Sequence, residues 1–166
     1  MLHPRIGLHG EPDAIMVALM RDVATDRPVA VHSTFLDHMG RKTGRKMLGP
    51  CGGAAIKLAP VTDALVVAKG LETALATNAA GMPAVWAMGS AGAIGALTVV
   101  PSVTTLVILV EIDSGASRGA IASCTNRWSG TGKRVFVVSP TIGKDFAEVW
   151  AHAGPHWRDC VVRVPA

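Results

Sequence analysis

Near-continuous runs of Val, Leu, Ile and Ala recur through the second half of the chain, and each ends in a turn rich in glycine or charge. Such runs predict strands at Ala64–Ala68, Ala84–Met88, Thr105–Val110 and Arg134–Val138, buried on both faces as in a parallel sheet. Between them the spacing predicts helices at Leu71–Ala79, Ala91–Leu97, Arg118–Ser129 and Asp145–His152. Gly81 and Gly130 serve as stops, and Pro83 and Pro101 sit in connections. The first part of the chain has a different rhythm. Ile15–Val23 and Val29–Leu36 flank the turn-rich Ala24-Thr-Asp-Arg-Pro28, which predicts an antiparallel hairpin. A Gly- and Lys/Arg-rich loop is expected from Asp37 to Gly53, then a short strand from Ala54. The pattern predicts an α/β domain with a parallel sheet and flanking helices over residues 61–166. A small antiparallel β module over residues 1–60 precedes it.

Composition narrows this picture. With 49% hydrophobic and 17% charged residues among 166, the chain can bury a core and is no disordered tail. Three Phe, four Trp and no Tyr leave that core to aliphatic side chains. The lack of Tyr also excludes strand cleavage through a tyrosine nucleophile. A net charge of +4 and a pI near 9.3 are compatible with nucleic acid without establishing it. Cys51, Cys124 and Cys160 lie far apart, which reads as reduced thiols rather than a disulfide framework. His152 and His156 have the spacing of half a zinc finger but no cysteine pair to complete it. The first ten residues hold His3, Arg5 and His9, so no secretory signal is read there. The apolar stretch from Ala96 to Val110 is broken by Pro101, Ser102, Thr104 and Thr105, so no membrane span is expected and the location is read as cytoplasmic.

The chemistry gathers where strands end. In a parallel sheet the carboxyl ends of the strands share one edge, where ligands usually bind. Glu111 and Asp113 are two residues apart at such an end and can face one side. Carboxylates this close repel each other, and a divalent cation is the usual compensation. The plainer reading is that they favour the start of the next helix. Asp145, after the following strand, can approach the same edge. Arg41, Lys42, Arg45 and Lys46 place four cations in six residues, either a phosphate-wrapping loop or a merely solvated one. Two glycine-rich stretches, Gly89–Gly95 and Ser129–Lys133, depart from dinucleotide-loop and P-loop spacing and read as turns. Trp128 is expected in the core, while Trp150 and Trp157 stay ambiguous.

The segment Ala68-Lys-Gly-Leu-Glu-Thr-Ala-Leu75, then Glu111-Ile-Asp113 and Gly143-Lys-Asp-Phe146, resembles the Toprim family, in particular primase-like proteins of plasmids, phages and integrated mobile elements. Arg127-Trp128 and Val85-Trp-Ala87 also fit. So do Val31-His-Ser-Thr-Phe-Leu36 and Arg45-Lys-Met-Leu-Gly-Pro50, which look like the module preceding the Toprim domain in such proteins. The resemblance implies a Toprim-like, Rossmann-like sheet and a nucleic-acid-processing enzyme in which a glutamate acts as general acid/base. Carboxylates would hold Mg2+ or Mn2+. Carried over by residue, Glu111, Asp113 and Asp145 are the metal positions, and Lys69 stands where the family has its catalytic glutamate. Ala116 replaces a common glycine. Glu72, one helical turn beyond Lys69, is the other catalytic candidate, though capping or packing at the helix start is its expected role. Lys144 joins Arg41, Lys42, Arg45 and Lys46 as a nucleic-acid-binding candidate.

A Lys for Glu exchange reverses charge where a cation would bind. The expectation is that the Lys69 ammonium pairs with Glu111 or Asp113, partly replacing the metal. Two functions follow. One is a magnesium-dependent nucleotidyl-transfer or phosphodiester-cleaving domain resembling a mobile-element DNA primase, impaired by Lys69 and acting on single-stranded DNA. The other is a non-catalytic Toprim-like module that binds nucleic acid or a protein partner. No zinc-binding or helicase module is evident for recruiting single strands, so a helicase or other partner is expected.

Overall fold

The computed structural model describes residues 13–112, 115 and 117–165. They form two compact units, the first ending at Ala54 and the second beginning at Ala55. In the first, β1 (Ala14–Asp22), β2 (Pro28–Leu36) and β3 (Lys42–Leu48) make an antiparallel meander. The β1–β2 turn is held by Asp22, whose Oδ1 accepts the amides of Ala24 at 3.1 Å and Thr25 at 2.6 Å. Alternation puts Met20, Ala30, His32 and Thr34 in the interior, while Val17 and Leu19 look outward.

The expected loop from Asp37 to Gly53 is instead a hairpin and a strand. The Asp37 carboxylate accepts the amides of Met39 at 2.9 Å and Arg41 at 2.8 Å, turning the chain into β3. There Arg45 lies opposite Thr34 and Lys46 opposite Ser33. An outer strand needs only its backbone ladder, so up to Lys46 its side chains are polar or absent, and Met47 and Leu48 at its end make no apolar alternation to advertise it. Gly49 ends it at φ +104°, where a Cβ would fall 2.6 Å from the Val29 carbonyl oxygen.

The second unit carries β4 (Ala54–Lys57), β5 (Ala64–Ala68), β6 (Val85–Ala87), β7 (Thr105–Leu109), β8 (Arg134–Pro140) and β9 (Val161–Val164). They lie in the order β4-β6-β5-β7-β8-β9. The inner pairs are parallel, while β4 and β9 run antiparallel to their neighbours. The expected α/β architecture, antiparallel strands followed by a parallel-cored sheet with helices, is what the chain adopts. Leu65, Val66, Val67 and Ala68 are all buried, as a central strand covered on both faces requires. Each buried Val or Leu of this kind stabilises by roughly 1.5–3 kcal/mol.

Among the described residues four helices flank this sheet: α1 (Leu71–Ala79), α2 (Ala91–Gly95), α3 (Arg118–Ser129) and α4 (Phe146–Ala153). On β8, Val137 and Ser139 look toward α3, and Phe136 and Val138 toward Met82 and Trp157. The helix α3 is tied to the segment after α2 by its last turn. There Arg127 Nη1 donates to the carbonyls of Gly95 at 2.7 Å and Leu97 at 3.1 Å. Trp128, fully buried as expected, donates from Nε1 to Leu97 at 3.3 Å. A 3₁₀ turn (Gly154–Cys160) and β9 follow α4, and neither is evident in the sequence pattern. Trp157 in that turn is buried edge-on against Phe146, with centroids 5.1 Å apart, which makes it a core residue. Of the two glycine-rich stretches read as turns, Gly89–Gly95 instead opens and forms α2, while residues 130–132 do turn. Ser90 caps α2 by accepting the Ala93 amide at 3.1 Å. Lys133 donates to the carbonyls of Pro101, at 2.9 Å, and Val103.

Candidate active-site edge

The parallel register aligns Ala68, Leu109 and Val138, so residues beyond β5, β7 and β8 emerge at one edge of the second unit. Lys69 is the first residue past β5, and Glu111 lies two past β7. Their side chains, 28% and 22% exposed, form an ion pair between Nζ and Oε2. With less than a third of each side chain in water, the pair belongs between the surface class, worth about 0–1 kcal/mol, and buried pairs, whose rupture costs about 3–5 kcal/mol.

Glu72 reaches the same place from the first turn of α1. A Cβ built on Gly70 would lie 3.5 Å from Glu72 Oε2, 3.7 Å from Glu111 Oε1 and 3.8 Å from Thr73 Oγ1. Gly70 caps α1 in an extended conformation, φ −94° and ψ 150°, without a side chain of its own. The two carboxylates therefore converge beside the positive end of α1.

The loop after β8 is clamped to this edge, because the Ile112 amide donates to the Lys144 carbonyl at 2.7 Å. Asp145 is the N-cap of α4, its Oδ1 accepting the Glu148 amide at 2.9 Å. Glu148, which sequence reasoning passed over, grips Lys144 twice. Its Oε2 accepts the backbone amide at 2.9 Å and its Oε1 meets the ammonium at 2.9 Å. The i,i+4 spacing after a helix cap was the signal available for it. The Glu148 hydrogen bond holds the Lys144 ammonium above the ordinary lysine range, helped by the pull of Glu148, Asp145 and Glu111. The same contacts hold the Glu148 carboxyl below its usual range.

The edge thus brings together Lys69, Glu72 and Glu111, with Lys144 and Asp145 on the adjoining loop. Asp113 lies outside the described residues. Arg41, Lys42, Arg45 and Lys46 belong to the first unit, and the Arg41 side chain is engaged with Asp37 at 2.9 Å. A recess of about 570 Å³ opens beside Glu111, walled by Val110, Ile112 and Ile121 with Ser117, Arg118 and Ser139 at its polar points. It is of a size that takes a small organic ligand.

A profile described as Toprim domain matches residues 64–156, more than half of the chain. This chain belongs to the Toprim-domain family. The fold agrees with two solved structures. One is a chain from the assembly of bacteriophage T7 lagging-strand DNA polymerase with primase domains of two gp4 subunits, bound to an RNA/DNA hybrid and dTTP. There the TM-score is 0.57 at 17% identity, over 91% of this chain and 76% of that one. The other is a DNA primase domain from Pseudomonas aeruginosa, with a TM-score of 0.58 at 18% identity. That match covers 90% of this chain and 51% of the primase domain, so the present Toprim chain spans about half of that relative. No curated protein matches it.

Toprim domains typically hold Mg2+, and the described residues of this edge do not fit it. The carboxylate of Glu111 is taken by the Lys69 ammonium. Among the described residues, no three His, Cys, Asp or Glu side chains gather into a metal-binding group. Two unit charges ~4 Å apart near a protein surface interact by ~4 kcal/mol, and a divalent ion beside an ammonium would meet about twice that as repulsion.

Proposed function

We propose that this chain is a nucleic-acid-processing Toprim module, resembling a mobile-element DNA primase, whose divalent-ion-dependent nucleotidyl transfer is impaired by Lys69. The ion pair between Lys69 and Glu111 carries the reading, since it neutralises the carboxylate that the family's chemistry draws on. The converging Glu72 and the recess beside Glu111 supply the remaining features of a nucleotide-handling edge. Nucleic acid is the proposed partner, in keeping with the hybrid bound in the T7 assembly, and single-stranded DNA is its proposed form. A helicase or similar protein would deliver the strand.

The test compares the natural chain with Lys69→Glu on a single-stranded template with nucleoside triphosphates and Mg2+. The expected result is little primer synthesis from the natural chain and magnesium-dependent synthesis or nicking from Lys69→Glu. Retained strand binding without any gain of synthesis would favour the binding module instead, a reading supported by the same neutralised carboxylate. Loss of both would overturn the assignment.

A further inference from the structure

We infer that Lys69 is the resident cation of this edge: its ammonium takes over the structural task of a divalent ion, so the Glu72–Glu111 edge assembles without metal. The inference goes beyond the proposed reaction, and it stands or falls by metal binding and stability rather than by activity.

Two carboxylates, Glu72 and Glu111, reach within 4 Å of one point beside Gly70. Like charges that share one edge and are partly withdrawn from water destabilise the fold unless a cation answers them. The Lys69 ammonium reaches Glu111 directly. It arrives from the end of the buried strand β5, and its backbone carbonyl accepts the Gly89 amide at 2.9 Å, so its base is fixed. The Lys144 ammonium adds a weaker attraction to Glu111 from the loop after β8. The positive end of α1 adds a third contribution. Compensation is therefore covalently tethered, and unlike a bound ion it cannot be removed by a chelator. A tethered cation also occupies the carboxylate permanently, which makes the edge a poor divalent site whatever the surrounding ion concentration.

The experiment uses the full chain and its Lys69→Met and Lys69→Arg variants, with Mn2+ alone as the probe. Calorimetric titration measures binding, and melting is followed in chelator and in excess Mn2+. The natural chain and Lys69→Arg are expected to show no saturable Mn2+ heat and the same Tm in both conditions. Lys69→Met is expected to melt a few degrees lower in chelator, to gain a saturable Mn2+ site, and to recover its Tm with the ion. Adding Glu111→Gln to Lys69→Met should abolish that gained site, which locates it. If Lys69→Met does not fold in chelator, refolding in Mn2+ decides: recovery supports the inference and failure overturns it. Saturable Mn2+ binding by the natural chain, or a folded Lys69→Met that takes up no Mn2+, would also overturn it. Neither outcome depends on primer synthesis, so the fate of the proposed reaction is judged separately.

Discussion

At the scale of single residues, the clamp of Glu148 on Lys144 shapes how the loop beside the edge responds to pH. The folded state holds the Glu148 carboxyl below its ordinary 4.5, through the hydrogen bond from the Lys144 ammonium and then from the Lys144 amide. A carboxyl depressed on folding stabilises the native state fully above its unfolded value, and that contribution disappears as pH falls through the folded value. Lys144 works in the opposite sense. Its raised ammonium contributes fully below the ordinary 10.5 and is lost as pH climbs through the folded value. Both groups are exposed at the surface, so each effect is small. Glu148→Gln is expected to lower the urea midpoint slightly at neutral pH, where the contribution is fully present, and to flatten the acid limb below 4.5, where the natural chain loses it as well. An acid limb as steep in the variant as in the natural chain would contradict the clamp. Lys69 belongs to this scale as well. Its sequence position raises the prospect of pairing with Glu111 or Asp113, because strand ends in a parallel sheet share an edge; the pair with Glu111 is observed, and Asp113 lies outside the described residues.

Among elements, the close contact of α2 and α3 is the feature most exposed to mutation. A Cβ on Gly95 would meet the Cα and Cβ of Ala120 at 3.1 Å and its carbonyl oxygen at 3.3 Å. Two of those three atoms are backbone and cannot rotate away, so the helices must separate to admit a methyl. Overpacking of this kind typically costs ~1–3 kcal/mol. Gly95→Ala is therefore expected to lower the urea midpoint by that equivalent, whereas Gly92→Ala, whose nearest contact is Ser90 Oγ at 3.9 Å, should be tolerated. Equal stability of the two variants would refute the tight crossing. From sequence, the helix at Ala91–Leu97 is legible but its tight crossing with α3 is not, since close approach between helices leaves no mark on a hydrophobic pattern. The elements that are legible beforehand are those that bury themselves. The runs at β5 and β7 and the bounds of α1 and α3 follow from apolar continuity and from helix stops at Gly81 and Gly130. The strand β3 is hidden because its ladder to β2 requires no apolar side chains. The strand β9 is hidden because four residues after a 3₁₀ turn carry too little periodicity. The candidate site was legible as far as chain order and fold could bring residues to one edge. The meeting of Glu72 with Glu111 beside Gly70 was not, because it depends on the pitch at which α1 leaves the sheet.

For the whole molecule, the question is what the excess of positive charge is for. Lys42, Arg45 and Lys46 stand on β3, the outer strand of the first unit's meander. Cations on an outer strand have a purely structural use, since they discourage another chain from adding to the exposed ladder. They also suit a phosphate backbone running along that edge, which would meet side chains from both faces of the strand. The two roles leave different signatures in salt. Each phosphate neutralised on a single strand contributes a slope of about −0.7 to the dependence of log affinity on log salt. Replacing Lys42, Arg45 and Lys46 together by alanine is expected to make that slope shallower by about two for single-stranded DNA. If the cations only guard the edge, the slope will stay as it was. The triple variant will then self-associate in sedimentation at concentrations where the natural chain does not. Measuring both properties on the same samples separates a nucleic-acid surface from a protected strand, because counterion release depends on the ligand and edge pairing depends on the protein's own concentration.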